Sequence, residues 1–217
     1  MRKEQEDYIE LEDLVDGMLD VIGHPETLKL PQLQQVEDYI LYGQRRIWLE
    51  EQVDNGVLEV ERRIFLWNLA DRELLAEDRK PIWMYIFNYG GSSDAEQSLI
   101  DVMDASITPI YTVNLGVCLS AAAEIFTAGK KRFMLPNART MYHQGFVATQ
   151  GDVQKVNTQM ADYNRQLEKT KHFLLERTKI PPELYEQHKY DDWWLDADEC
   201  IRYGVCDHII RSLDEVM

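Results

Sequence analysis

The sequence predicts an α/β domain with parallel strand pairing, and three observations carry that prediction. Apolar strand-like runs alternate with helix-like segments through the middle of the chain, the pattern that βαβ crossovers produce. The strongest run, Ile82-Trp83-Met84-Tyr85-Ile86-Phe87, is rich in β-branched and aromatic residues and is closed by Gly90-Gly91. Val153, Val156, Met160, Tyr163, Leu167 and Leu174 recur at helical spacing from Asp152 to about Thr178. A helix that long exceeds what a compact domain needs, so it is expected to project and pack against a neighbour.

In chain order, Tyr8, Leu11, Val15, Met18 and Ile22 mark the apolar face of an acidic amphipathic helix over residues 1 to 22. Gly23-His24-Pro25 ends it, because Pro cannot continue helical hydrogen bonding. A linker follows to Pro31, so residues 1–30 form an appendage and residues 31–217 the main domain. Val36, Tyr39, Ile40 and Leu41 predict a helix, and Arg46-Ile47-Trp48-Leu49 a short strand. After Gly91, Ser92 and Ser93 are placed to cap a helix running through Val102. Ile110 to Val113 reads as a strand, Gly116 to Leu119 as a tight segment, Ser120 to Ala128 as a helix, and Arg132 to Leu135 as a strand.

Composition narrows the function classes. With 217 residues the chain can bury one sizeable core. Its net charge of −16 repels DNA and anionic membrane surfaces, which argues against nucleic-acid and membrane partners. Cys118, Cys200 and Cys206 form no C-x-x-C or zinc-type spacing and read as buried thiols in a reducing cytosol. The first ten residues hold no apolar leader segment, and no run of about 18 apolar residues occurs, so a cytoplasmic protein is expected.

The candidate chemistry lies at three positions. Ser120 opens a helix made of Ala121, Ala122 and Ala123, where a nucleophile would gain from the helix dipole and nearby backbone N–H groups. Ser is equally a good N-cap. His143 follows the strand after that helix and could return to the same sheet edge as a general base; a lone His is as readily a satisfied core or surface residue. Asp192 stands beside Trp193 and Trp194, whose rings could shield a carboxylate that orients an imidazole, or it is an ordinary turn acid. His24, His172, His188 and His208 receive no role. The order Ser, His, Asp, without G-x-S-x-G, disfavours an α/β-hydrolase. Gly90-Gly91 lacks the phosphate-loop patterns, so it reads instead as backbone placed close to a ligand.

Five segments in register resemble the proteolytic subunit of the Clp protease family. Ile86-Phe87-Asn88-Tyr89-Gly90-Gly91 stands where that family has I-N-S-P-G-G, and Gly116-Val117-Cys118-Leu119-Ser120 with Thr127-Ala128-Gly129 resembles its G-x-x-x-S…T-A-G elbow. Lys131 to Arg139 is similar to K-R-F-x-L-P-N-S-R, leading into the M-x-H-Q that holds His143. Asp192 to Ala197, with Tyr203-Gly204-Val205-Cys206-Asp207, is similar to the D-x-F-x-[ST]-A…Y-G-x-x-D ending. The match runs from about Arg45 to Ile210. Tyr89 replaces a proline, and Ala122 and Glu124 replace a glycine and an apolar residue.

The resemblance implies a ClpP/crotonase-like βαβ superhelix with a projecting handle helix after Gly151. It implies a serine endopeptidase that hydrolyses peptides or unfolded polypeptides with Ser120, His143 and Asp192 as triad and no cofactor or metal. Backbone N–H groups of Gly91 and Ala121 would be its oxyanion donors, and the backbone around Gly90, Ser92 and Phe146 would clamp a substrate strand. Homo-oligomeric rings and an AAA+ unfoldase partner are implied as well. Two other classes remain: a non-catalytic or phage-like structural subunit assembling with an active partner, and a crotonase-type acyl-CoA enzyme.

Overall fold

The computed structural model describes residues 33–217. In order its elements are α1 (Leu33–Gly43), β1 (Arg46–Leu49), α2 (Val57–Asp71), β2 (Ile82–Asn88), α3 (Ser93–Ala105), β3 (Ile110–Leu119), α4 (Ala121–Ala128), β4 (Lys131–Met134), β5 (Arg139–Tyr142), α5 (Val153–Arg177), α6 (Pro182–His188), β6 (Trp193–Leu195), α7 (Ala197–Arg202) and β7 (His208–Ile209). The acidic helix expected at residues 1 to 22 and the linker after it lie outside the described residues. The sheet and the site both belong to the unit Leu41–Met217.

The expected α/β class with parallel pairing is the observed one. Strands run in the order β1-β2-β3-β4-β7, every neighbouring pair parallel. β2 is buried along most of its length, with Ile82, Met84 and Ile86 fully enclosed, as a central parallel strand covered on both faces must be. Helices α3 and α4 return the chain from β2 to β3 and from β3 to β4, and Leu99, Ile125 and Phe126 fill the core between helices and sheet. Burying each such side chain contributes about 1.5–3 kcal/mol.

β3 and α2 are among the elements that differ from expectation. β3 runs ten residues, through the segment read as a tight turn. Gly116 misleads because glycine inside a strand resembles a break. Here it is needed because a Cβ at that position would lie 2.8 Å from the Phe87 ring. Helix α2 is not anticipated by the apolar pattern, since its buried stripe of Val57, Glu61, Ile64, Trp67 and Asp71 includes two acids.

The extra length of β3 builds the site. Its first half pairs with β4, from Tyr111↔Lys131 to Asn114↔Met134, and its second half with β5, from Val117↔Arg139 to Leu119↔Met141. The sheet therefore forks, and β5 carries the antiparallel β6 on its other side. The fork brings the end of β3, the end of β5 and the start of β6 to one place.

Candidate active site

Ser120 is the hinge between β3 and α4. Its φ is 55° and ψ is −129°, a left-handed conformation that costs a non-glycine residue about 1–3 kcal/mol and persists only where surroundings enforce it. Two features enforce it here. The Ser120 N–H donates to Met141 O at 2.8 Å, continuing the β3–β5 ladder. Beyond it, Ala121, Ala122 and Ala123 pack α4 into the core with every residue of the helix buried. Although Ser120 holds the N-cap position, its side chain makes no capping bond. Its Oγ instead lies 2.7 Å from His143 Nε2.

His143 reaches Ser120 because β5 ends at Tyr142, one residue before it. Tyr142 is anchored by its hydroxyl to Thr127 Oγ1 at 2.6 Å, which ties β5 to α4. Across β6 the register pairs Tyr142 with Trp193, so the next step along both strands sets His143 opposite Asp192. His143 Nδ1 lies 3.3 Å from Asp192 Oδ1. The structure thus brings Ser120, His143 and Asp192 into one chain of contacts. The shielding expected from the tryptophans is absent: Trp193 turns inward, Trp194 turns out, and the Asp192 side chain is 67% exposed. Solvent screens an exposed carboxylate, so its pull on the imidazole is weaker than a buried one's.

Cys118, two residues before Ser120, is no rival nucleophile. It is fully buried, and burial pushes its thiol well above the ordinary range, which removes the reactive thiolate.

Gly90 and Gly91 complete the front of the site. A Cβ on Gly90, whose φ is +97°, would lie 2.8 Å from Ser120 Cβ, so this glycine rests directly against the elbow. Gly91 forms a parallel bridge with Val53. Val53 takes its two bonds from the flanking residues, Gly90 O at 3.1 Å and Ser92 N–H at 2.7 Å. Alternation along an extended chain then turns the Gly91 N–H away from Val53. Ala121, as the first residue of α4, has an N–H with no partner inside its helix.

The residues expected as a substrate clamp fall unequally. Gly90 and Ser92 have their backbone groups occupied: Gly90 N–H by Asn88 Oδ1, Gly90 O and Ser92 N–H by Val53, and Ser92 O by Glu96 N–H. Phe146 is 91% exposed in a segment without regular structure.

Three features received no role from sequence. Asn88 is fully buried, and besides receiving Gly90 N–H it donates to the carbonyls of Leu49 and Glu51, fixing the turn into Gly90-Gly91. An Asn two residues before a glycine is a legible turn signal. His188 stacks on Trp193 with ring centroids 4.9 Å apart, behind His143. Glu96 and Glu124 form a buried carboxyl pair, 4% and 8% exposed. Sequence marks Glu124 only as standing where the family has an apolar residue, and Glu96 not at all. Burial and then the Glu124 charge raise the pKa of Glu96, and burial raises that of Glu124, so the pair retains a proton at neutral pH.

That retained proton sets a pH dependence. A carboxyl with a raised folded-state pKa contributes fully below its unfolded value of 4.5, and its contribution falls as pH rises. Melting temperature is expected to decline from pH 5 to pH 9, and Glu96→Gln to flatten that decline. Parallel pH profiles of melting for the two proteins check it; identical slopes would refute it.

Among the described residues no group of three or more His, Cys, Asp or Glu is arranged to hold a metal, and no helix is long and apolar enough to cross a membrane.

The family model described as Clp protease matches residues 33–213. The ATP-dependent Clp protease proteolytic subunit 2 of Treponema pallidum (strain Nichols) is 34% identical over 139 residues, which cover 61% of this chain and 68% of the relative. The protein of the same name from Treponema denticola is 27% identical over 139 residues, covering 63% and 70%.

Proposed function

Because the chain belongs to the Clp protease family, we propose that it hydrolyses peptide bonds with Ser120 as nucleophile, His143 as proton carrier, Asp192 as the orienting group, and the Gly91 and Ala121 N–H groups as oxyanion donors. The chain is a ClpP-like serine peptidase. What most supports this set of residues is the 2.7 Å contact between Ser120 Oγ and His143 Nε2 at a strained elbow.

The steps follow from the atoms. Ser120 Oγ attacks the scissile carbonyl as its proton passes to His143 Nε2. Asp192 accepts from His143 Nδ1–H and stabilises the imidazolium. The tetrahedral oxygen carries negative charge between the Gly91 and Ala121 N–H groups, where the α4 dipole adds to its stabilisation. His143 then protonates the leaving amine, and the acyl group stays on Ser120. Water, deprotonated by His143, releases it. Gly91 supplies the backbone edge on which a substrate strand adds.

The relatives' names describe ATP-dependent proteolytic subunits. On this reading the chain forms homo-oligomeric rings in the cytoplasm and receives unfolded polypeptides from an AAA+ unfoldase, with residues 1–30 an appendage to the peptidase domain 31–217. Exposed apolar side chains along α2, including Leu58, Phe65 and Leu69, favour packing against other copies. No observation favours the acyl-CoA or non-catalytic readings.

Exposure of Asp192 grades its contribution. Asp192→Asn is expected to lower kcat/KM on a fluorogenic peptide by about 10–100-fold, less than loss of His143, because a screened carboxylate orients more weakly. A loss equal to that of His143→Ala would contradict the weak, exposed role.

A further inference from the structure

The Glu96–Glu124 pair lies where it can govern the spacing of the two oxyanion donors. Gly91 immediately precedes Ser92, the N-cap of α3, and Ala121 immediately follows Ser120, the N-cap of α4. Counted from those caps, Glu96 is the fourth residue of α3 and Glu124 the fourth residue of α4. Glu124 therefore sits about one turn along α4 from Ala121, and Glu96 about one turn along α3 from the cap that directly follows Gly91. The two carboxyls interact, and Glu96 Oε1 is buried with no hydrogen-bond partner of its own. Glu124 Oε2 also accepts from Thr170 Oγ1 of α5 at 3.3 Å, and the residue lines a small cavity shared with His143 and Gln144.

We propose that Glu96 and Glu124 are positioning residues: a proton shared between their two buried carboxyls makes a strut between α3 and α4 that holds the Gly91 and Ala121 N–H groups at the separation one oxyanion requires. The inference rests on the assignment of those two groups as the donors.

Three physical points favour a strut over a substrate-reading role. The cavity beside Glu124 measures only about 20 Å³, room for a water and not for a substrate side chain. Both Glu124 and Glu96 are nearly inaccessible, and Glu124 is already engaged by Thr170. A hydrogen bond also fixes distance and direction, which an apolar contact between two helices does not. Oxyanion stabilisation is sensitive to that geometry, because the donors must meet the developing charge and not the ground-state carbonyl.

The pair's surroundings are mixed in charge. Tyr142 from β5, His143 after it, Thr170 from α5, Tyr185 and His188 from α6, and Lys189 after α6 border the Glu124 cavity. Lys189 is held by Glu186 at 2.7 Å, so it is engaged outside the pair. A neutral amide in place of either acid keeps a hydrogen-bonding strut, whereas leucine fills the space without one.

The test compares wild type with Glu124→Leu, Glu96→Leu, Glu124→Gln and Glu96→Gln, measuring kcat and KM on a peptide, affinity for a peptidyl boronate as tetrahedral analogue, and melting temperature. Each leucine variant is expected to lose at least about tenfold in kcat, with boronate affinity falling by the same factor and KM within about twofold. Each glutamine variant is expected to stay within about threefold. A folded leucine variant with wild-type kcat and boronate affinity overturns the proposal, as do glutamine variants as impaired as leucine ones. If neither leucine variant retains a cooperative melting transition, the pair is a fold element and the proposal also fails. Wild type that neither hydrolyses peptide nor labels at Ser120 would instead defeat the donor assignment itself.

Discussion

Ser120→Ala is expected to lower kcat for peptide hydrolysis by about 10⁵–10⁶-fold, because it removes the atom that forms the acyl bond while leaving the backbone donors in place. His143→Ala is expected to cost a similar factor. The two losses should not add, since nucleophile and base act as one unit across the 2.7 Å contact. Neither change should destabilise the fold: Ser120→Ala removes only a hydroxyl that contributes no helix cap, and His143 lies beyond the end of β5. Removing a left-handed serine does not relax the strain, because alanine in that conformation is strained as well. Steady-state kinetics with a melting control separates loss of chemistry from loss of structure. Additive losses in the double variant would show that Ser120 and His143 do not work together.

Gly91→Ala is expected to be nearly as severe by a different route. A Cβ there would lie 2.1 Å from Val53 O and 2.8 Å from Val53 C, both backbone atoms of the paired segment, so neither side can yield by rotating a side chain. The chain must shift, and the Gly91 N–H moves with it. Loss of one oxyanion donor costs about 10²–10³-fold in kcat, and displacement of the Val53 bridge adds a stability cost. kcat is expected to fall at least about a hundredfold, with boronate affinity falling in parallel. Unchanged boronate affinity would remove Gly91 from the site.

How much of this was legible in the sequence depends on how the physics was distributed along it. β2, α4 and α5 were legible because a single segment carries the whole signal: an apolar run closed by glycines, an alanine-rich turn, and a 25-residue helical stripe. β5 and β6 were not, being four and three residues long and defined only by pairing with each other. Yet those two strands set His143 opposite Asp192. The order and register of Ser120, His143 and Asp192 were thus readable through resemblance, while the means of their convergence was not. The exposure of Asp192 went unread for a related reason: adjacent tryptophans face opposite sides of a strand, so only one turns inward.

The acidic residues show the same limit. Glu61, Asp71, Glu96 and Glu124 lie on helices, where charged side chains usually face water. All four are buried. Asp71 is held by Arg45 and Thr108, which keep its carboxyl below the usual range, while Glu96 and Glu124 keep a proton between them. One chain therefore solves the cost of buried acid in two ways, by an ion pair and by protonation. Periodicity alone reports neither.

The central claim is that Ser120 is a nucleophile activated by His143, and covalent labelling tests it most directly. Incubation of the intact protein with a fluorophosphonate, followed by mass spectrometry of its peptides, is predicted to place one adduct on Ser120. The adduct should be absent in Ser120→Ala and strongly slowed in His143→Ala. An adduct on another residue, or none on Ser120 in folded wild-type protein in any assembled form, would contradict it.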